Sequence, residues 1–287
     1  MALLARQQGD TQPPAGNQKT DLLHCEAAVI PYDGTDLSAL EELSADMING
    51  GGLRLLGSEH TRNANHPQFQ RIENVFTGFE PDVAYFEGPD RGVRETLEET
   101  ILETGEGGFI RMLAKVRGVP AASLEPNPMD EFVYVLEEFS IEQASLFYLL
   151  RAAAQWRERE GLDDEAMTAR MNEFLARANG LFENLPAPYS DFTILNADEL
   201  AALYAKYWTE PSDWRDAPLY WFSPEQKSED TGGIFTNEVN ARSSHYRNLS
   251  VYRLFAAHAA SGEKAFGLMG GDHLPRLKPT FECLEAQ

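Results

Sequence analysis

From Glu26 onward, short continuous apolar runs alternate with longer stretches in which apolar residues recur every three or four positions. Strands buried on both faces read as unbroken apolar runs and crossover helices as amphipathic ones, so this alternation predicts an α/β fold. Five runs read as strands, at 53–56, 83–86, 121–124, 192–195 and 265–269, each followed within a residue or two by polar residues or glycine. Between them, 92–104 and 109–117 read as helices, the second with Phe109, Met112, Leu113 and Val116 at helical spacing. A long helical pattern runs from 129 to about 160, with Phe132, Val135, Leu136, Phe139, Ala144, Phe147, Leu150 and Ala154 as its stripe. With helices at about 163–181 and 197–208 it predicts a mostly helical middle insert, about 129–210, whose aromatic residues serve packing. Residues 212–236 read as an irregular loop or lid, and a strong helix at about 238–260 ends at Gly262.

The expected architecture is therefore a central, largely parallel sheet with flanking helices and a mostly helical middle insert. Residues 1–25, rich in Gln, Pro, Gly, Thr and Asp, cannot bury enough apolar surface to offset their ordering entropy and are read as a flexible tail. That leaves 26–287 as a single α/β domain.

Charge narrows the class of partner. Against 24 Lys and Arg stand 46 Asp and Glu, a net charge of −22 that repels phosphate backbones and excludes nucleic acid as a partner. No stretch approaches the ~20 apolar residues needed to span a bilayer, and the opening residues are too short for a signal-peptide core. The expectation is a soluble protein, either cytoplasmic or exported after removal of a signal. Cys25 and Cys283 belong to no CxxC or Cys/His metal spacing; a bridge between them requires the termini to meet, and two free thiols is the simpler reading.

Two tetrapeptides carry the candidate chemistry. Gly57-Ser58-Glu59-His60 follows the strand at 53–56, and Gly270-Gly271-Asp272-His273 follows the strand at 265–269. Loops after the carboxyl ends of parallel strands are where α/β proteins bind ligands, so both imidazoles are expected in one cleft. Glycine at the first position lets the backbone turn sharply or approach closely.

A GxxH near the start and another near the end resemble the TraB/GumN/Tiki family and its relatives in the erythromycin esterase and ChaN-like group. In that family the first motif is followed by a Pro-containing helix and a strand ending in Glu, matched here by His66-Pro67 and by Val83-Ala84-Tyr85-Phe86-Glu87. The next strand also ends in Glu, matched by Glu125, and an Arg-Asp or Arg-Asn precedes the second motif, matched by Arg247-Asn248. The likeness covers about residues 50–126 and 238–280. It departs in the acidic pairs Ser58-Glu59 and Gly271-Asp272 and in the lack of a Met-rich segment after Arg247.

What the resemblance implies is a metal-dependent hydrolase of peptidase or esterase type, acting on a small-molecule or peptide substrate, with His60, Glu87, His273 and Arg247 catalytic. Chemically, His60, Glu87, Glu125 and His273 form an N/O set suited to Mn, Co, Zn or Fe, which would acidify a bound water. Without metal, the same residues can divide acid and base work, with a buried Glu raised toward neutrality. Arg247 can hold a substrate carboxylate or oxyanion, or pair with a buried Glu. Glu87 can instead serve the turn Gly88-Pro89-Asp90. Glu59, Asp272, His245 and Asn248 are candidates for substrate contact. His24 and His66 are read as surface residues, and His258 as a satisfied helix residue. The alternative function is a non-catalytic haem or small-ligand binding protein of the ChaN-like type.

Overall fold

The computed structural model describes residues 23–33, 35, 37–183, 185 and 189–286; the expected tail falls outside them up to residue 22. In chain order the elements are α1 (Leu23–Glu26), β1 (Glu42–Asp46), β2 (Gly52–Ser58), α2 (Pro67–Phe79), β3 (Val83–Phe86), α3 (Leu97–Arg117) and β4 (Ala121–Ser123). There follow α4 (Pro128–Leu136), α5 (Ile141–Glu160), α6 (Asp164–Phe182), α7 (Ala197–Tyr204), α8 (Ser228–Thr231), α9 (Thr236–Ser261), β5 (Lys264–Gly270) and α10 (Leu274–Glu285). The chain divides into two compact units. The first comprises the described residues up to Ile30 with 37–126 and 247–286; the second comprises those of 31–36 with 127–246. The division falls inside α9, between Tyr246 and Arg247.

The fold is α/β. In the first unit five strands form one sheet in the order β1-β2-β5-β3-β4, parallel except for β1, which pairs antiparallel with β2 at the edge. Leu53, Leu55 and Leu56 of β2 are fully buried, the burial that unbroken apolar runs signal. On one side Phe69, Ile72 and Phe76 of α2 and Ile101, Phe109, Ile110 and Leu113 of α3 pack with Phe86, Phe266 and Leu268. On the other side Tyr85 meets Phe255 of α9, which in turn meets Phe281 of α10. Helices cover both faces, so the carboxyl edge of the sheet is left for chemistry.

Where the structure departs from the sequence reading, local causes are visible. β1 went unread because its Leu43 and Ala45 are buried while Glu42, Ser44 and Asp46 face solvent, too short an alternation to stand out. Residues 192–195 are not a strand: Asn179 supplies the pairing a neighbouring strand would have given, accepting from Ile194 N at 3.3 Å and donating to its carbonyl at 2.9 Å. The 129–160 pattern breaks where Ser140 and Gln143 form a capping box that starts α5. The helices expected at 92–104 and 109–117 are one element, α3, interrupted at Gly105 (φ 68°, ψ −151°). Residues 23–25, assigned to the tail, are helical, and Cys25 is buried and disulfide-bonded to Cys283 rather than a free thiol. No helix among the described residues is long and apolar enough to cross a membrane.

The second unit is helical, with Leu146, Phe147, Leu150, Met167, Met171, Trp208 and Trp221 in one core. Residues 212–236, expected as an irregular loop or lid, are mostly irregular before α9, with α8 and short 3-10 turns.

Candidate active site

Each of the four parallel strands of the first unit delivers one side chain at or just beyond its carboxyl end: His60 after β2, Glu87 after β3, Glu125 after β4 and His273 after β5. α9 adds Arg247 and Asn248. The first histidine loop is fixed from α2. Gln68 binds Glu59 in both directions, accepting its N–H at 2.9 Å and donating to its carbonyl at 2.8 Å, and Arg71 donates to the Gly57 carbonyl at 2.6 Å. The second loop turns through a 3-10 segment, Gly271–His273, into α10.

The two imidazoles meet at Gly270. A Cβ placed on that glycine would lie 3.5 Å from His60 Nε2, 3.5 Å from Glu87 Oε2 and 3.7 Å from His273 Cδ2, so the missing side chain keeps a gap between the rings. Gly57, the corresponding residue of the first motif, has a different reason to be glycine: a Cβ there would stand 2.1 Å from the Leu40 carbonyl oxygen.

Each ring is oriented through Nδ1. His60 Nδ1 lies 2.5 Å from Glu106 Oε1, and His273 Nδ1 lies 2.7 Å from Asn248 Oδ1. With an oxygen acceptor at Nδ1, that nitrogen carries the proton in the neutral ring and Nε2 carries the lone pair. Exposure separates them: the His60 side chain is 64% exposed and that of His273 12%.

Glu87 is the electrostatic centre. Its Oε1 accepts from Arg247 Nη2 at 2.7 Å, its Oε2 accepts from Gly270 N at 2.6 Å, and His273 Nε2 stands 4.0 Å from Oε1. Burial alone would raise its pKa, but Arg247, His273 and His60 outweigh burial and hold the carboxyl well below its ordinary 4.5. The expected upward tuning of a buried Glu is thus reversed here, and Glu87 is a fixed anion. Glu125 accepts from the same Arg247 Nη2 at 2.9 Å and from Gly88 N at 2.9 Å, so it, not Glu87, serves the turn after β3. Arg247 pairs with two partly buried carboxylates, the second of its two expected roles.

Three other candidates fall elsewhere. The Glu59 carboxylate is 82% exposed and 3.8 Å from His66, which caps the start of α2, and Asp272 is exposed. Neighbours in a chain point in different directions, and in both pairs the carboxylate points away from the other ring, while His273 turns inward and His60 stays largely exposed. His245 belongs to the second unit, with its ring 6.4 Å from that of Tyr134. Asn248 is fully buried and supports His273. The residue that sequence reasoning missed is Glu106. Its signal was the run Gly105-Glu106-Gly107-Gly108 inside a helical stretch, where each glycine costs about 1 kcal/mol relative to Ala. The break at Gly105 lets Glu106 reach His60, and Gly107 lets the helix approach the Glu87 carbonyl, which a Cβ would meet at 3.2 Å.

A metal ion needs its donors within about 2.0–2.3 Å of one centre. Among the described residues, the one group of three or more His, Cys, Asp or Glu whose donor atoms all lie within 4.8 Å of one another is His24, Cys25 and Cys283. His60, Glu87, Glu125 and His273 are not gathered into such a group, and the Arg247 guanidinium already stands between the two carboxylates.

Fold and site together define an α/β protein with a histidine–carboxylate cluster at the carboxyl edge of its sheet. Comparison with known protein families, curated proteins and solved structures finds no match for the chain.

Proposed function

We propose that the first unit is a hydrolase of esters or peptides that works by acid–base catalysis from its two strand-end histidines. The observation that carries this reading is the convergence of two imidazoles, each held through Nδ1, on the gap at Gly270 beside an anionic Glu87. In this reading His60 Nε2 takes a proton from the attacking water while Glu106 steadies the resulting imidazolium. Glu87 favours a protonated ring at His273, which returns a proton to the departing alcohol or amine. The water oxygen bonds to the acyl carbon, the ester or amide bond breaks, and acid and alcohol or amine leave. Arg247 is a positioning residue that keeps Glu87 and Glu125 in place. The resemblance to the TraB/GumN/Tiki family supports the hydrolase class. Its metal-dependent form requires Arg247 to give up its place between the carboxylates to the ion.

The test is a screen of peptide, ester and lactone substrates with wild type, His60→Ala and His273→Ala, each with and without EDTA. The proposal expects activity in wild type, its loss in both variants and indifference to EDTA. Activity abolished by EDTA and restored by an added ion would replace acid–base catalysis with the metal-dependent form. Full activity in both variants would overturn the hydrolase site altogether.

A further inference from the structure

The geometry points to a second site at the joined ends of the first unit: once reduced, Cys25 and Cys283 together with His24 bind a zinc-type ion. The bridge ties α1 to α10 across 258 residues of chain, and Glu26 of α1 pairs with Arg253 of α9 at 2.6 and 2.8 Å, so the cysteines are held together by more than their own bond. His24 Nε2 stands 3.4 Å from Cys25 Sγ and 3.6 Å from Cys283 Sγ. Tetrahedral zinc with Zn–N of about 2.0–2.1 Å and Zn–S of about 2.3 Å sets its N and S ligands about 3.6 Å apart. Both N···S edges of a Cys2His site are therefore already in place, and the S···S edge is the one that reduction must open.

The chemistry balances as thiol–disulfide exchange followed by ion-for-proton exchange. A dithiol reductant passes two electrons to the bridge and becomes a disulfide itself, leaving two thiols at Cys25 and Cys283. The ion then displaces both thiol protons and takes two thiolates and the His24 Nε2 lone pair, with water as the fourth ligand. Soft thiolates with one imidazole select zinc over magnesium or calcium. Bridge and ion compete for the same sulfurs, so the clamp on the chain ends persists in two forms: covalent in oxidising surroundings and metallic in reducing ones. This site is separate from His60 and His273 and does not depend on the proposed hydrolase activity.

The experiment uses the full chain, reduced with a phosphine, stripped of metal and transferred anaerobically to buffer with one equivalent of zinc. Bound zinc is measured after gel filtration, and cobalt is used in parallel to read thiolate-to-metal charge transfer in the near ultraviolet. One zinc per reduced chain is expected, none per oxidised chain, and none in Cys25→Ser or Cys283→Ser. His24→Ala should bind about tenfold more weakly or worse, since losing a ligand costs no less than losing an outer-shell partner. His60→Ala and His273→Ala should bind zinc as wild type does. Should either Cys variant fail to fold, as read by circular dichroism, the comparison of oxidised with reduced wild type still decides. Zinc bound equally in the oxidised chain, no zinc in the reduced chain, or a cobalt complex without charge transfer would each overturn the site.

Discussion

The two GxxH loops share a tetrapeptide form and a place after a parallel strand, yet the structure uses them differently. In the first, glycine is demanded by the backbone, since Gly57 abuts the Leu40 carbonyl, and the histidine stands largely in solvent against a carboxylate. In the second, Gly270 has room for a methyl group, and the histidine is sunk against a buried Asn248 beside the anionic Glu87. The same motif thus makes one exposed ring oriented by a charged partner and one largely covered ring oriented by a neutral partner. That division suits a water-activating base and a proton donor that must be kept charged.

The largest expected effect falls on the charge centre that links the loops. Arg247→Ala leaves two partly buried carboxylates without their guanidinium, and should cost more than the ~1 kcal/mol of a surface pair, approaching the ~3–5 kcal/mol of a fully buried one. Denaturant unfolding of the variant should show that loss. Glu87 also sets a pH dependence. Because its folded pKa lies below its ordinary 4.5, its contribution to stability is present above pH 4.5 and is lost as the pH falls through the lower, folded value. Unfolding midpoints recorded between pH 3 and 6 should fall with acid more steeply in wild type than in Glu87→Gln.

The glycines give the sharpest contrast. Gly57→Ala places a methyl carbon against a carbonyl oxygen and should destabilise by about 1–3 kcal/mol or more. Gly270→Ala, at φ −53°, meets only ordinary contacts and should change stability by about 0.5 kcal/mol or less while filling the gap between the rings and abolishing activity. Equal melting temperatures for the two variants would break the distinction between the loops.

The histidines should differ in the same direction. His273→Ala leaves the fully buried Asn248 oxygen without its donor, at about 1–3 kcal/mol, whereas the exposed His60→Ala should cost about 0.5 kcal/mol or less. The smallest effect is that of Glu106→Gln, which keeps an acceptor at His60 Nδ1 but removes the charge. Loss of the charge behind the base should lower kcat/KM by less than the ~10²–10⁴-fold that a general base contributes in all, with little change in melting temperature.

Four of the five sheet strands were legible because each is an apolar run between polar or glycine punctuation, and His60 and His273 because a repeated motif marked them. Residues 192–195 misled by the same signal, an apolar run whose backbone is paired by the Asn179 side chain rather than by a strand. Glu106 was not legible because its contact spans 46 residues and depends on one non-helical glycine. His24 was likewise hidden, since its neighbour Cys283 is reached only when the chain ends meet. Side chains that a strand end must present can be read from the pattern, but partners brought in from another element cannot.

The central claim is that the two rings form one cluster with their Nε2 atoms as the working nitrogens. Long-range proton–nitrogen NMR of the histidine rings tests it without requiring a substrate. In the neutral state both rings should carry the proton on Nδ1, as Glu106 and Asn248 dictate, and the His60 signals should shift in His273→Ala. An Nε2–H tautomer at both rings, or a His60 spectrum untouched by the loss of His273, would contradict it.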